Sequence, residues 1–137
     1  MDIGAAQEFL QTNHRGVLAT RRRDGSPQMT LVSPAVDGQG RVVITTRETA
    51  YKTKNIRRDP RVSLLVFGGQ FHGSKFVQIQ GAAEVMSLPE AMDLLISWHR
   101  QVKGEHADWE EYRRTMRQPR RVIVGVTVAS AGPNPRG

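Results

Sequence analysis

The spacing of apolar residues changes period several times along this chain. Ile3, Ala6, Phe9 and Leu10 recur at helical intervals, which predicts a short amphipathic helix over residues 3–12. From Gly16 the pattern is strand-like: Val17, Leu18, Ala19 and Thr20 run into Arg21, Arg22 and Arg23, and Asp24-Gly25 signals a hairpin. The return strand covers residues 27–36. Pro34 interrupts it and predicts an edge or a bulge, because proline cannot donate to a ladder. A second turn, Asp37-Gly38-Gln39-Gly40, leads to a third strand over residues 41–46. A short basic helix carrying Lys52, Lys54, Asn55, Arg57 and Arg58 comes next and stops at Asp59-Pro60. Residues 62–67 are a continuous apolar run, as expected for a strand buried on both faces.

A Gly-rich loop spans residues 68–73, and the strand after it, 75–86, alternates Phe76, Gln78 and Gln80 with Val77 and Ile79. Gly81 within it predicts a bend or a close backbone approach. Ser87 with Glu90 three residues later reads as a capping box. The helix it opens puts Met92, Leu95, Trp98 and Val102 on one face, and Lys103-Gly104-Glu105-His106 ends it. A second short helix is expected from about 108 to 116, then a last strand over 121–129 and a tail rich in Gly and Pro. Six strands with hairpin turns and helices inserted at three places predict an α+β antiparallel barrel, not a parallel doubly wound sheet. The 137 residues show no repeat and no linker, and read as a single domain able to bury roughly two-thirds of its unfolded surface.

Composition narrows the function classes. Hydrophobic residues make up 38% and charged residues 24%, a globular balance. No apolar run approaches the roughly 20 residues of a membrane span, and the N-terminus lacks the pattern of a secretion signal. Zero cysteines exclude disulfides and thiol chemistry. A cytoplasmic address is expected. The net charge of +7 points to an acidic partner or to a solvated basic surface. Two Trp, two Tyr and four Phe leave few platforms for stacking bases, which argues against nucleic acid.

Catalytic signatures are sparse. His14, His72, His99 and His106 form no metal-ligand spacing, so no metal site is assigned. Dinucleotide and nucleotide-triphosphate loops and the nucleophile elbow are absent. Any reactive group is therefore expected to be borrowed from a cofactor. The segment from 41 to 66 is where one could be held. Its strand delivers Thr45 and Thr46 to the start of the lysine-rich helix, where free N–H groups and the helix dipole favour an anion. Gln28, on a strand expected to neighbour Thr45 and Thr46, suits the polar edge of a flavin-like ring.

Two stretches, GVLATRRRDGSPQMTLV at 16–32 and AYKTKNIRRDPRVSLLV at 50–66, carry a family likeness. They resemble the split-barrel flavin-binding superfamily of pyridoxamine phosphate oxidases, and more closely its actinobacterial deazaflavin-dependent branch. GEHADWEEYRRTM at 104–116 and the RRVIVGVTV that follows are typical of that branch too. The resemblance implies a six-stranded antiparallel split β-barrel with short peripheral helices, forming a homodimer with cofactor sites at the interface. It implies an oxidoreductase passing hydride from reduced coenzyme F420 to a small organic acceptor. The alternatives are an FMN-dependent oxidase or reductase and a non-catalytic F420 carrier; no nucleic-acid or membrane partner is implied. Lys52 matches the phosphate-contacting lysine and Asn55 an asparagine beside it, while Thr45 and Thr46 match the strand end at the phosphate. Gln28 matches a ring-edge glutamine, and Lys54 a basic position for the acidic tail of F420. Ser74, Lys75 and Phe76 match a stretch that lines the partner's site. Ser74 departs from the family's bulky aromatic, and Ala50 stands where a relative has arginine. No catalytic side chain is assigned, with Lys75 and His72 as candidate proton donors. F420 carries a phosphodiester and an oligoglutamate tail, so several cations beyond Lys52 favour it over FMN.

Overall fold

The computed structural model describes residues 1–69 and 75–133. In chain order the elements are α1 (Ile3–Phe9), β1 (Arg15–Arg21), β2 (Pro27–Val32), β3 (Ala35–Val36), β4 (Val42–Arg47) and α2 (Tyr51–Arg58). They continue with β5 (Arg61–Phe67), β6 (Phe76–Met86), α3 (Met92–Lys103), α4 (Trp109–Arg117) and β7 (Arg121–Gly132). The strands form one antiparallel sheet in the order β2-β1-β5-β6-β7-β4-β3. Val32 of β2 and Val36 of β3 lie on strands at opposite ends of that order, yet they pack on the same core with Leu18, Ile44, Leu64, Ile79 and Val124. The sheet therefore curls until its edges share an interior, which is a split barrel.

The strand count is seven where six were expected. Pro34 breaks the predicted 27–36 strand: β2 stays with β1, while Ala35 and Val36 cross to pair with Val43 and Val42 of β4. A strand that changes partners becomes two elements. Two further expectations need correction. Along β5 only Val62, Leu64 and Val66 are buried, whereas Ser63, Leu65 and Phe67 are half-exposed on the outer face, so the strand is not buried on both sides. Ser87 does not cap α3, whose N-cap is Ala91; its hydroxyl goes to Glu48 Oε2 at 3.3 Å.

Other local readings hold. The β1–β2 hairpin closes through Arg22 N–H to Ser26 O at 2.9 Å, Gly25 takes φ 86°, and Asp24 Oδ1 accepts from Ser26 N. The helix expected from about 108 is α4, and Asp108 caps it by accepting from the N–H groups of Glu110 and Glu111, a role not assigned from the sequence. Leu95 and Trp98 of α3 are buried with Val43, Ile123 and Tyr112, so α3 and α4 cover the outside of β4 and β7.

Gly81 sits at a register shift between β6 and β7, and a Cβ there would lie 2.3 Å from Thr127 O. No side-chain rotation relieves a clash with backbone. Gly81→Ala is expected to cost about 1–3 kcal/mol, read by chemical denaturation; a variant as stable as the parent would mean the bulge can open.

Candidate functional site

A cleft of about 270 Å³ opens between the end of β2 and the β4–α2 corner. It is lined by Leu31, Val32 and Ser33 on one side, Thr45 and Lys52 on the other, and Trp98 from α3. Thr45 and Lys52 were expected together, and the fold brings them together. Thr46 goes elsewhere. Successive strand residues face opposite ways, and on β4 Val42 and Ile44 enter the barrel core while Val43 meets α3. Thr45 shares the side of Val43, so Thr46 is turned inward and buried, away from Lys52.

The electrostatics of the cleft are one-sided. Burial, then the nearby Arg47 and Arg121 guanidiniums, push the Lys52 ammonium below its ordinary pKa of 10.5. No carboxylate pairs with Lys52 among the described residues, and the first turn of α2 holds no acidic side chain. Thr45 Oγ1 is buried without a hydrogen-bond partner, an exception to the usual satisfaction of interior polar atoms. A half-buried cation beside an orphan hydroxyl is chemically suited to an anionic oxygen. Acidic groups near the basic stretch are engaged: Glu48 pairs with Arg57, Asp59 is held to a pKa of about 2 by Arg61, and Asp24 binds Ser26.

Asn55 has a different place from the one expected. It is buried, and its Nδ2 donates to Thr20 Oγ1 at 3.1 Å and to Gln28 Oε1 at 2.8 Å, while its Oδ1 accepts from Arg58 at 2.9 Å. Thr20 and Gln28 are register partners across β1 and β2, so Asn55 braces α2 against that strand pair. With both amide hydrogens used, it has none for a phosphate. Its bond to Gln28 occupies that amide's Oε1 and leaves the Nε2 donors open, and Gln28 itself does not line the cleft. Gln28 does not adjoin Thr45 and Thr46, since β2 and β4 are separate strands on either side of the split.

The remaining candidates are dispersed. Ala50 is the N-cap of α2 and offers no side-chain acceptor. Lys54 is exposed, with its Nζ 5.7 Å from the Tyr51 ring centroid. Phe76 starts β6 opposite Phe67, Lys75 immediately precedes it, and neither lines the cleft. Ser74 and His72 lie outside the described residues, as does the tail beyond Pro133. His14 is engaged with Pro34 O at 2.9 Å, and His99 and His106 meet the Trp109 and Tyr112 rings edge-on or tilted between α3 and α4. Sequence reasoning missed Trp98, whose Nε1 donates to Ser33 O at 2.8 Å and pins the β2–β3 link at the cleft. The only signal was Pro34, which marked the irregularity but not what fastens it.

A curled antiparallel sheet with a cationic cleft at its split defines a protein of the split-barrel class. The chain belongs to the pyridoxamine 5'-phosphate oxidase family, whose sequence profile matches residues 3–132. Among solved structures it is similar to a conserved hypothetical protein from Mycobacterium tuberculosis, at 28% identity and TM-score 0.79, over 96% of this chain and 82% of that one. It shares its fold with an F420 reductase, at 23% identity and TM-score 0.68, over 92% and 94% of the two chains. The heme storage protein HutZ from Vibrio cholerae has the same fold at 14% identity and TM-score 0.72, covering 96% and 94%. No helix among the described residues is long and apolar enough to cross a membrane.

Proposed function

We propose that this protein is an F420-dependent oxidoreductase acting as a homodimer on a small organic acceptor. The observation that carries the reading is the unpaired Lys52 beside the orphan Thr45 hydroxyl, in a chain of the pyridoxamine 5'-phosphate oxidase family. Lys52 and Thr45 hold the cofactor phosphate, Gln28 donates to the polar edge of the ring, and Leu31, Val32 and Trp98 exclude water from its face. Reduced F420 supplies hydride; no side chain is assigned to deliver the proton. Arg47 and Arg121 add cations around Lys52, which favours a longer polyanion than FMN.

Support for the dimer comes from the outer face of the sheet. Leu31 is 82% exposed and Met29 67% exposed, on the same side of β2, and Leu31 also lines the cleft. Large apolar side chains left open beside a ligand cleft mark an interaction surface. A second copy covering them would complete a cleft that at about 270 Å³ is smaller than the usual ligand pocket of roughly 300–1,000 Å³. The heme reading has less support: the described histidines are engaged at Pro34 and in the α3–α4 ring cluster, and none of them lines the cleft.

The test is a parallel titration with F420 and FMN, followed by fluorescence. F420 is expected to bind at least tenfold more tightly. Tight FMN binding with no response to F420 would transfer the site to the FMN alternative. Sedimentation should give the mass of a dimer, and a monomer at micromolar concentration would remove the interface.

A further inference from the structure

A second cationic pocket opens where α4 hands the chain to β7. It measures about 360 Å³ and is lined by Arg117, Arg120 and Arg121 with Glu48, Ser87 and Leu88. Its carboxylate is already committed. Glu48 pairs with Arg57 and accepts from Ser87 Oγ; the Arg57 contact first of all, and the nearby Arg120 guanidinium as the least of the causes, hold its carboxyl below the ordinary range. Arg117, Arg120 and Arg121 form no ion pair among the described residues. The C-terminus of α4 contributes roughly half a negative charge, too little to balance three guanidiniums.

The backbone keeps these arginines together at a conformational cost. Arg120 has φ 49°, the left-handed region that favours glycine, and its N–H donates to Arg117 O at 3.2 Å. Its carbonyl accepts from Glu48 N at 3.0 Å, tying this turn to the β4–α2 corner that carries Lys52. Arg121 pairs in register with Arg47, and both act on Lys52. Arg121 is therefore within electrostatic reach of Lys52 and also lines this pocket.

We propose that this pocket is a second anion site, built by Arg117, Arg120 and Arg121 for a carboxylate- or phosphate-rich group. The three forked guanidiniums match planar carboxylates and phosphates, which a scattered lysine surface does not. The group is either the acidic tail of a cofactor anchored at Lys52, which rests on the reading above, or a separate small polyanion, which does not.

The probe is inorganic tripolyphosphate, titrated calorimetrically into the full chain. The variant is Arg117→Ala with Arg120→Gly, because glycine accepts φ 49° and the turn is kept. Arg15→Ala with Arg23→Ala removes the same charge from exposed positions on and beside β1. Tripolyphosphate affinity is expected to fall at least tenfold in the first pair and less than threefold in the second. Equal losses in both pairs, no loss in the first, or no binding to the parent overturns the site. A second arm compares F420 with F420 trimmed of its glutamates. If the tail is the occupant, the first pair weakens full-length F420 about tenfold and leaves the trimmed form unchanged. If F420 does not bind at all while tripolyphosphate binding stays arginine-dependent, the deazaflavin reading fails and the pocket stands, with a separate polyanion as its occupant.

Discussion

Lys52→Ala is expected to weaken F420 binding by about 10- to 150-fold, the equivalent of ~1.5–3 kcal/mol for one charge-assisted hydrogen bond. The effect is large because Lys52 already bears a cost in the free protein. Burial and the fields of Arg47 and Arg121 disfavour its charge, and no carboxylate among the described residues relieves it. A bound phosphate supplies the missing counter-charge. The same linkage sets a pH dependence. The anion raises the depressed pKa of Lys52 back toward 10.5, so affinity is full below the free-protein pKa and declines as pH rises through it. Fluorescence titrations of parent and variant across neutral to alkaline pH give both results. A dissociation constant unmoved by the substitution would take Lys52 out of the site. Lys52→Arg keeps the charge and should recover part of the affinity, separating charge from shape.

Asn55→Ala should cost about 2–4 kcal/mol of stability, since each buried partner left unsatisfied costs roughly 1–3 kcal/mol. Three hydrogen bonds vanish together, to Thr20, Gln28 and Arg58, and two of them fasten α2 to the β1–β2 pair. Cofactor affinity is expected to fall by a smaller factor, because Gln28 loses the partner that orients its amide. Asn55→Asp isolates the donor role: it preserves the oxygen facing Arg58 but sets an acceptor against Gln28 Oε1 and Thr20 Oγ1. Chemical denaturation measures the first effect. A loss under 0.5 kcal/mol in Asn55→Ala would mean that water replaces the amide there and that the brace is dispensable.

The two residues were legible to different degrees, for a physical reason. Lys52 stands out in the chain because strand, turn and basic helix are contiguous, and a helix start is a local event. Asn55, three positions after Lys52, is assigned beside the phosphate by family resemblance. Its true partners are 35 and 27 residues away, and only the packing of α2 on β1 turns it toward them. Thr45 and Thr46 illustrate the same limit. Their sequence gives no phase for the strand; the phase follows from which side α3 covers. The capping-box reading of Ser87 failed likewise, because Glu48 and Arg57 draw that hydroxyl into a long-range contact.

By itself the sequence determined the α+β class, the order of helices and strands, the hairpin at Asp24-Gly25, and a cation-rich corner around Lys52. These depend on periodicity, turn chemistry and charge, all of which act over a few residues. The tertiary structure decided that Pro34 separates two strands and that Thr45 rather than Thr46 meets Lys52. It alone carries Trp98 to the cleft and joins Arg121 to both Lys52 and the Arg117–Arg120 pocket. Curling brings together residues from 31 to 121, and no local pattern encodes which of them come within reach.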